Sequence, residues 1–248
     1  MSDDWYRDFF DGIVLDMWRL ATPEEATLGD VDFLERELVL EPGARVLDAP
    51  SGHGRHSIEL ASRGYRPTGI DLAEGMIEAA KASATERGVE VEWVMADMRD
   101  LPRDASFDAA LCFGNSFGYL GPVGNREYLE AVSASLRLGG RFAIETGMVA
   151  ESVLPGLEER SWSSLGELLF LEENRYDAAE SCLETTYTFV RDGKTTSRTA
   201  RHWVYTLREL RELLDAVGLQ TVSLYASIDG EPFEFGSQQL LLVAEKPT

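Results

Sequence analysis

Three short stretches in the first hundred residues carry side chains that could hold a nucleoside. Asp48-Ala49-Pro50-Ser51-Gly52-His53-Gly54 lies between a short apolar run and an amphipathic one. Glycines in such a turn let a ligand approach the backbone closely, and the helix that follows presents unpaired N–H groups. Asp71, in GIDL, comes about 20 residues later, where an acidic group suits a ribose diol. Asp97-Met98 follows: the carboxylate can accept from an adenine amino group, and the thioether can pack on the ring. Taken singly, Asp71 would serve equally well as a helix N-cap and Asp97 as a solvated strand end. Taken together they supply a turn, a ribose acceptor and an adenine clamp, in that order along the chain. The pattern predicts that Gly52, Asp71 and Asp97 meet on one adenosine-sized ligand.

These residues need elements that bring them to one edge. The chain reads as a strand (ARVLDA, after the turn Glu41-Pro42-Gly43), a helix ending near Gly64, a strand (RPTGIDL), a helix closed by Gly88, and two more strands, VEWVMAD and SFDAALCFGN. REYLEAVSASLRLGG then reads as a helix with a glycine stop, and RFAIETG as a fifth strand. TLRELRELLDAVG follows later, with Thr206 as N-cap and Gly218 as C-cap, before LQTVSLYA and SQQLLLVAEK. This alternation predicts an α/β fold with a Rossmann-like, doubly wound seven-stranded sheet, its last strand antiparallel and returning at the sheet edge. In such sheets ligands bind outside the carboxyl ends of the strands, where the strand order reverses. That is where the three stretches fall.

Two further regions flank this core, which the reading assigns to residues 41–150 and 206–248. Residues 1–40 read as a helical cap: Phe9, Phe10, Ile13, Met17 and Trp18 share one face, and Val31, Leu34 and Leu38 another, with Phe33 at its margin. Thr22-Pro23-Glu24-Glu25 resembles an N-cap followed by a helix-starting proline. Residues 151–205 alternate in polarity and contain the hairpin turn Arg191-Asp192-Gly193-Lys194, which predicts an antiparallel insert of three or four strands.

Charge narrows the partners. The 248 residues carry a formal net charge of −21. A field of that sign repels phosphate backbones and anionic lipid, so neither nucleic acid nor a membrane surface is expected as a partner. Cys112 and Cys182 form no CxxC pair, and neither a disulfide framework nor a metal site is expected. The acidic start MSDDWYRDFF lacks the features of a signal peptide, and no apolar run approaches the roughly 18 residues of a membrane span, so a cytoplasmic location is expected.

The motifs together resemble those of class I S-adenosylmethionine-dependent methyltransferases. VLDAPSGHGRHSIELASRGY is similar to the first motif of that superfamily, GIDLAEGMIEAAK to the second, ADMRDLP to the third and FDAALCFGNSFGYL to the fourth. LRLGGRFAIET resembles the segment leading into the fifth strand. Pro50 departs from the pattern, which usually has glycine there. The resemblance implies S-adenosylmethionine as cofactor and S-adenosylhomocysteine as product. It implies that Asp48, Ala49, Ser51 and Gly52 surround the methionine part, that Asp71 takes the ribose hydroxyls, and that Leu72, Met76, Asp97 and Met98 hold the adenine. Phe113 and Gly114 would lie beside the sulfonium, and Tyr6 and Trp18 would close the site as a lid.

Methyl transfer from a sulfonium asks the protein mainly for orientation and exclusion of water; a hydroxyl acceptor would gain from a base. Asn115, Tyr119 and His202 are the substrate-side candidates, and Tyr119, Glu145 and His202 the catalytic ones. His53 and His56 read as structural or cofactor-adjacent. The insert resembles that of small-molecule N-methyltransferases acting on aminosugars, which implies a roof over the site and a monomer or a homodimer formed through the insert. FGNSFGY lacks the Asn/Asp-Pro-Pro-aromatic signature used on bases and protein glutamines, and Cys112 reads as a buried strand residue. Expected, then, is N- or O-methylation of a small molecule. A non-catalytic cofactor-binding module remains open as an alternative. A nicotinamide-dependent oxidoreductase is less suited, because Ser57 stands where the dinucleotide fingerprint wants its third glycine.

Overall fold

A computed structural model describes residues 5–248. After a 3-10 turn (Trp5–Arg7) come α1 (Ile13–Ala21) and α2 (Glu24–Glu37), then β1 (Arg45–Asp48), α3 (Arg55–Ser62), β2 (Arg66–Asp71), α4 (Glu74–Arg87), β3 (Glu92–Met95) and β4 (Phe107–Cys112). Next are α5 (Gly121–Ser135), β5 (Leu136–Thr146) and the short α6 (Ala150–Val153). Strands β6 (Arg160–Leu165), β7 (Leu168–Asp177), β8 (Cys182–Arg191) and β9 (Lys194–Trp203) form the insert. The chain ends with α7 (Leu207–Ala216), β10 (Gln220–Tyr225) and β11 (Leu240–Glu245).

The main sheet has seven strands in the order β10-β11-β5-β4-β1-β2-β3. β11 runs antiparallel to both of its neighbours, and the other pairs are parallel. The expected α/β fold is present. The last strand is not at the edge, however: β11 lies between β5 and β10. Its sequence LLLVAE explains the place, since its first five residues are buried and an apolar strand must be covered on both faces, whereas β10 is partly open along its length.

Alternation of side chains sorts the core into two layers. Val46, Leu111, Leu241 and Val243 face Val31, Phe33, Leu34 and Leu60 of α2 and α3. Leu47, Cys112, Leu240 and Leu242 face Tyr128 and Leu129 of α5 and Leu210 and Leu214 of α7. The strand order reverses between β1 and β4, which opens a crevice at their carboxyl ends.

Local details depart from the sequence reading in three places. α1 begins at Ile13, so Phe9 and Phe10 precede it. Thr22 does not cap α2: its hydroxyl donates to the Trp18 carbonyl at 2.7 Å, closing α1, and Pro23 stands just before α2. α5 stops at Ser135 rather than at Gly139-Gly140, because Leu136 is drawn into the ladder opposite Phe107 and is fully buried there. Thr206 caps α7 as expected, in a reciprocal pair with Glu209.

The insert is a separate four-stranded antiparallel sheet, ordered β6-β7-β8-β9, with Arg191 and Lys194 paired across the Asp192-Gly193 turn. It docks on the loop after β4 through the Trp203 N–H, which donates to the Gly118 carbonyl at 2.9 Å. Trp5, Phe9 and Met17 fill the gap between Tyr119 on that loop and Phe189 and Ala200 on the insert. An Arg191–Asp16 ion pair at 2.6 Å ties insert to α1.

The two glycines of the first turn serve different ends. Gly54 has φ 81°, and a Cβ there would lie 2.3 Å from the Trp93 ring and 2.9 Å from the Ala80 methyl. Gly52 has φ 53° and open space on its Cβ side. Under the turn, Asp48 is 1% exposed and accepts the Ser57 hydroxyl at 2.7 Å, so the serine at the third-glycine position bonds helix to strand. Burial pushes the Asp48 carboxyl up to about 7, against the pull of the Ser57 hydrogen bond.

Gly54→Ala must displace Trp93, and should lower stability by about 1–3 kcal/mol, read as a fall in the denaturant midpoint. Asp48 titrates higher folded than its unfolded value of about 3.9, so its burial is free of penalty in acid, becomes costly as pH rises from about 4 to about 7, and costs most above that. Asp48→Asn should therefore raise the melting temperature more near pH 8, above both the folded and unfolded values, than near pH 5, where the folded carboxyl is still protonated. An equal gain at both would contradict a buried, titrating carboxyl.

Candidate active site

The crevice deepens into a cavity of about 320 Å³, bounded by the turn after β1, the ends of β2, β4 and β5, and the N-terminal segment. This volume suits a small-molecule site. Ser51 and Gly52 line it from the turn, Asp71 and Leu72 from the end of β2, Met76 from α4, and Asp97 and Met98 from the loop after β3. Phe113 and Gly114 line it at the end of β4, and Tyr6 and Trp18 from the N-terminal side. The three predicted stretches do meet on one cavity.

Hydrogen bonds hold these groups in place. Asp71 Oδ2 accepts the Gly52 N–H at 2.8 Å, and its Oδ1 accepts the Ala73 N–H at 2.9 Å. Burial raises the Asp71 carboxyl above its ordinary range, with the backbone donors opposing. For Asp97 burial also acts upward, but Arg99 wins and holds it below the usual carboxylate range. Arg99 Nε and Nη2 reach the two Asp97 oxygens at 2.9 and 2.7 Å. Arg99 Nη2 also lies 3.2 Å from the Tyr6 hydroxyl, so one guanidinium spans the candidate adenine clamp and the N-terminal cover. The Ser51 hydroxyl is buried without a hydrogen-bond partner among the described residues, close to Gly69, while the Ser51 carbonyl accepts the Gly54 N–H at 3.0 Å.

Asn115, Tyr119 and Glu145 also line the cavity. Asn115 has φ 62°, and its Oδ1 accepts from the Thr146 hydroxyl at 3.0 Å and the Gly147 N–H at 2.9 Å, tying the ends of β4 and β5 together. Glu145 Oε2 accepts the N–H groups of Gly114 and Asn115 at 2.8 and 3.1 Å. Burial raises the Glu145 carboxyl and the Tyr119 hydroxyl.

Asp48, Ala49 and His202, all expected in the site, do not line the cavity. Asp48 is turned toward Ser57 beneath the loop. Ala49 is bound into the sheet: its N–H donates to Leu111, and its carbonyl accepts the Tyr128 hydroxyl at 2.6 Å. His202 is 4% exposed, with Nε2 3.2 Å from the Asn115 carbonyl and its ring 4.6 Å from that of Tyr119. Burial pushes its imidazole down to about 4, so the ring is neutral and donates from Nε2 to the carbonyl. It braces Asn115 from behind.

The insert places none of its strand residues on the cavity wall among the described residues. The cover is the N-terminal segment, because Trp5 and Phe9 stand between the insert and the crevice. Residues missed by the sequence reading include Asp30 on α2, Arg55 at the start of α3, and Gln239 and Leu241 at β11. Arg55 follows the glycine turn so closely that its position was a usable signal. Asp30 and Gln239 gave none, since only packing of distant segments brings them here. Among the described residues no group of three or more His, Cys, Asp or Glu is placed to hold a metal.

Known proteins share parts of this sequence and its fold. Residues 46–140 match a methyltransferase domain family. The chain is 33% identical over 122 residues to a glycine/sarcosine N-methyltransferase of Halorhodospira halochloris, a match covering 48% of this chain and 45% of that one. The similar stretch thus spans about half the length of that relative. It is 29% identical over 213 residues to a cypemycin N-terminal methyltransferase of a Streptomyces species, covering 82% of this chain and 84% of the relative. An amino pentose methyltransferase from Micromonospora echinaspora, solved with S-adenosylmethionine bound, superposes with a TM-score of 0.71 at 19% identity, covering 96% of this chain and 98% of that one. The matched domain covers residues 46–140, from β1 through α5, and the likeness to the amino pentose methyltransferase extends to the fold of the whole chain.

Proposed function

We propose that this protein binds S-adenosylmethionine and transfers its methyl group to nitrogen or oxygen of a small-molecule acceptor. The convergence of Gly52, Asp71 and Asp97 on one cavity carries this reading. The residues fit the cofactor. The open side of Gly52 leaves room for a ligand against the backbone. Asp71 keeps acceptor capacity for a ribose diol beyond its two backbone bonds, and Asp97 for an adenine amino group beyond Arg99. Leu72, Met76 and Met98 supply apolar contact for the base, while Tyr6 and Trp18 cover it.

When bound, the cofactor supplies a methyl group already activated on a sulfonium. What the chain must add is alignment, a dry site and a place for the acceptor's proton. Phe113 and Gly114 would sit beside the reacting centre, with Asn115 and Tyr119 on the acceptor side. Glu145, whose carboxyl burial raises, is the group we assign to proton acceptance. His202 we assign to positioning, through Asn115. The names of the relatives and of the amino pentose enzyme support a nitrogen acceptor for this chain, a small amine or aminosugar.

Release of S-adenosylhomocysteine with a panel of amines, aminosugars and phenols tests the reading; binding without turnover on any acceptor would favour a cofactor-binding module. Asp71→Ala should weaken S-adenosylhomocysteine binding by about 1–3 kcal/mol in calorimetry, and unchanged affinity would remove the ribose assignment. Gly52→Ala would project a methyl into the cavity with no protein clash. It should lower cofactor affinity about tenfold or more while costing only about 1 kcal/mol of stability. Intact affinity in that variant would place the ligand elsewhere.

A further inference from the structure

The charges on the cavity wall are unequal. Among the described residues four carboxylates line it, those of Asp30, Asp71, Asp97 and Glu145, against one guanidinium, that of Arg55. Arg55 is answered within the wall, since its Nη1 lies 2.6 Å from Asp30 Oδ2. Asp97 is answered by Arg99. Asp71 accepts from Gly52 and Ala73 and is assigned above to the ribose. His53 and His56 also line the cavity, but burial first, and then the Arg55 charge, lowers both to about 4 and keeps them neutral. That leaves Glu145, at the end of β5. Its Oε2 accepts two backbone N–H groups, while its Oε1 has no partner and no cation pairs with it among the described residues.

Aromatic rings share this cavity with Glu145. Phe10, Phe113 and Tyr119 line it, and the Phe10 and Tyr119 rings lie 5.6 Å apart. Ring faces attract cations, and a buried carboxylate without a counter-charge is costly until one arrives. We propose that the acceptor is a free amine bound as its ammonium, with Glu145 Oε1 taking the charged nitrogen beside the rings of Phe10 and Tyr119, and that it carries no phosphate, nucleotide or carboxylate group. Glu145 then takes one ammonium proton, which frees the nitrogen lone pair. The C–N bond forms as the C–S bond of the donor breaks, and the electron pair of that bond stays on sulfur. A phenol or an alcohol brings no positive charge to Oε1. A phosphorylated or nucleotide-linked amine brings anionic groups to a wall whose one guanidinium is already paired. The inference rests on the cofactor reading above and narrows its acceptor.

The test uses matched probes on the full chain: glucosamine with its phosphate ester, and benzylamine with benzyl alcohol and the zwitterion para-(aminomethyl)benzoate. Each is titrated by calorimetry into protein saturated with S-adenosylhomocysteine, and each is assayed as an acceptor with S-adenosylmethionine. At least one of the two free amines should bind saturably, about tenfold or more tightly than its uncharged or anion-bearing twins. Glu145→Gln, isosteric and uncharged, should lose about tenfold for that amine while S-adenosylhomocysteine affinity stays within about twofold. The wild-type comparison stands by itself should the variant fail to fold. A twin that binds or is methylated as well as its parent amine overturns the proposal. So does full amine affinity in Glu145→Gln, or a wild type that holds S-adenosylhomocysteine and binds neither amine; the cofactor reading survives all three. A wild type that does not bind S-adenosylhomocysteine overturns both.

Discussion

The hydrogen bond from the Gly52 N–H to Asp71 Oδ2 joins the turn after β1 to the end of β2. A loop with no side chain at its tip has little else to order it, and a carboxylate accepting backbone N–H groups makes one of the stronger bonds available to it. The same carboxylate also takes the Ala73 N–H, where the chain enters α4. Loop, strand end and helix entry are thereby fixed against one another. Ser51 adds to this, its N–H donating to the Ile70 carbonyl at 2.8 Å. The cavity exists because these segments cannot close over it.

Around that bond, each acidic group has a different answer to burial. Asp97 is neutralised by Arg99, and that guanidinium reaches on to Tyr6. Among the described residues Asp48 has no cation bonded to it and relies on the hydroxyl and backbone N–H of Ser57, and burial leaves its carboxyl high. Glu145 relies on two backbone amides at the tip of β4. A chain with a net charge of −21 thus gathers carboxylates at the mouth of its sheet with few cations among them. Such a field favours a ligand bearing positive charge, as a sulfonium does, over its neutral product.

The far wall is built from second-layer contacts. Asn115 spends its side chain on Thr146 and Gly147 and its carbonyl on His202, so the tips of β4 and β5 and the insert are wired together through one residue. The insert consequently shapes the site without touching the cavity. The aromatic residues Trp5, Phe9 and Tyr119 transmit that support.

Much of this was legible in the amino-acid order. Short apolar runs separated by helical ones specify an α/β sheet, and short-range spacing placed Gly52, Asp71 and Asp97 at successive strand ends, where the topology of such sheets brings them together. Capping at Thr206 and the Asp192-Gly193 turn are local chemistry and were readable for that reason. What needed the tertiary structure was direction and long-range contact. Asp48 and Asp71 end neighbouring strands, yet one points beneath the loop and the other toward the cavity, because Ser57 competes for the first. His202 was a candidate base in sequence; in the fold its ring is buried against the Asn115 carbonyl and does not line the cavity. Asp30 and Arg55 lie 25 residues apart and meet only when α2 packs on α3. Sequence spacing encodes what repeats along the chain; which side chain faces the open space is decided by the partners that distant segments bring to it.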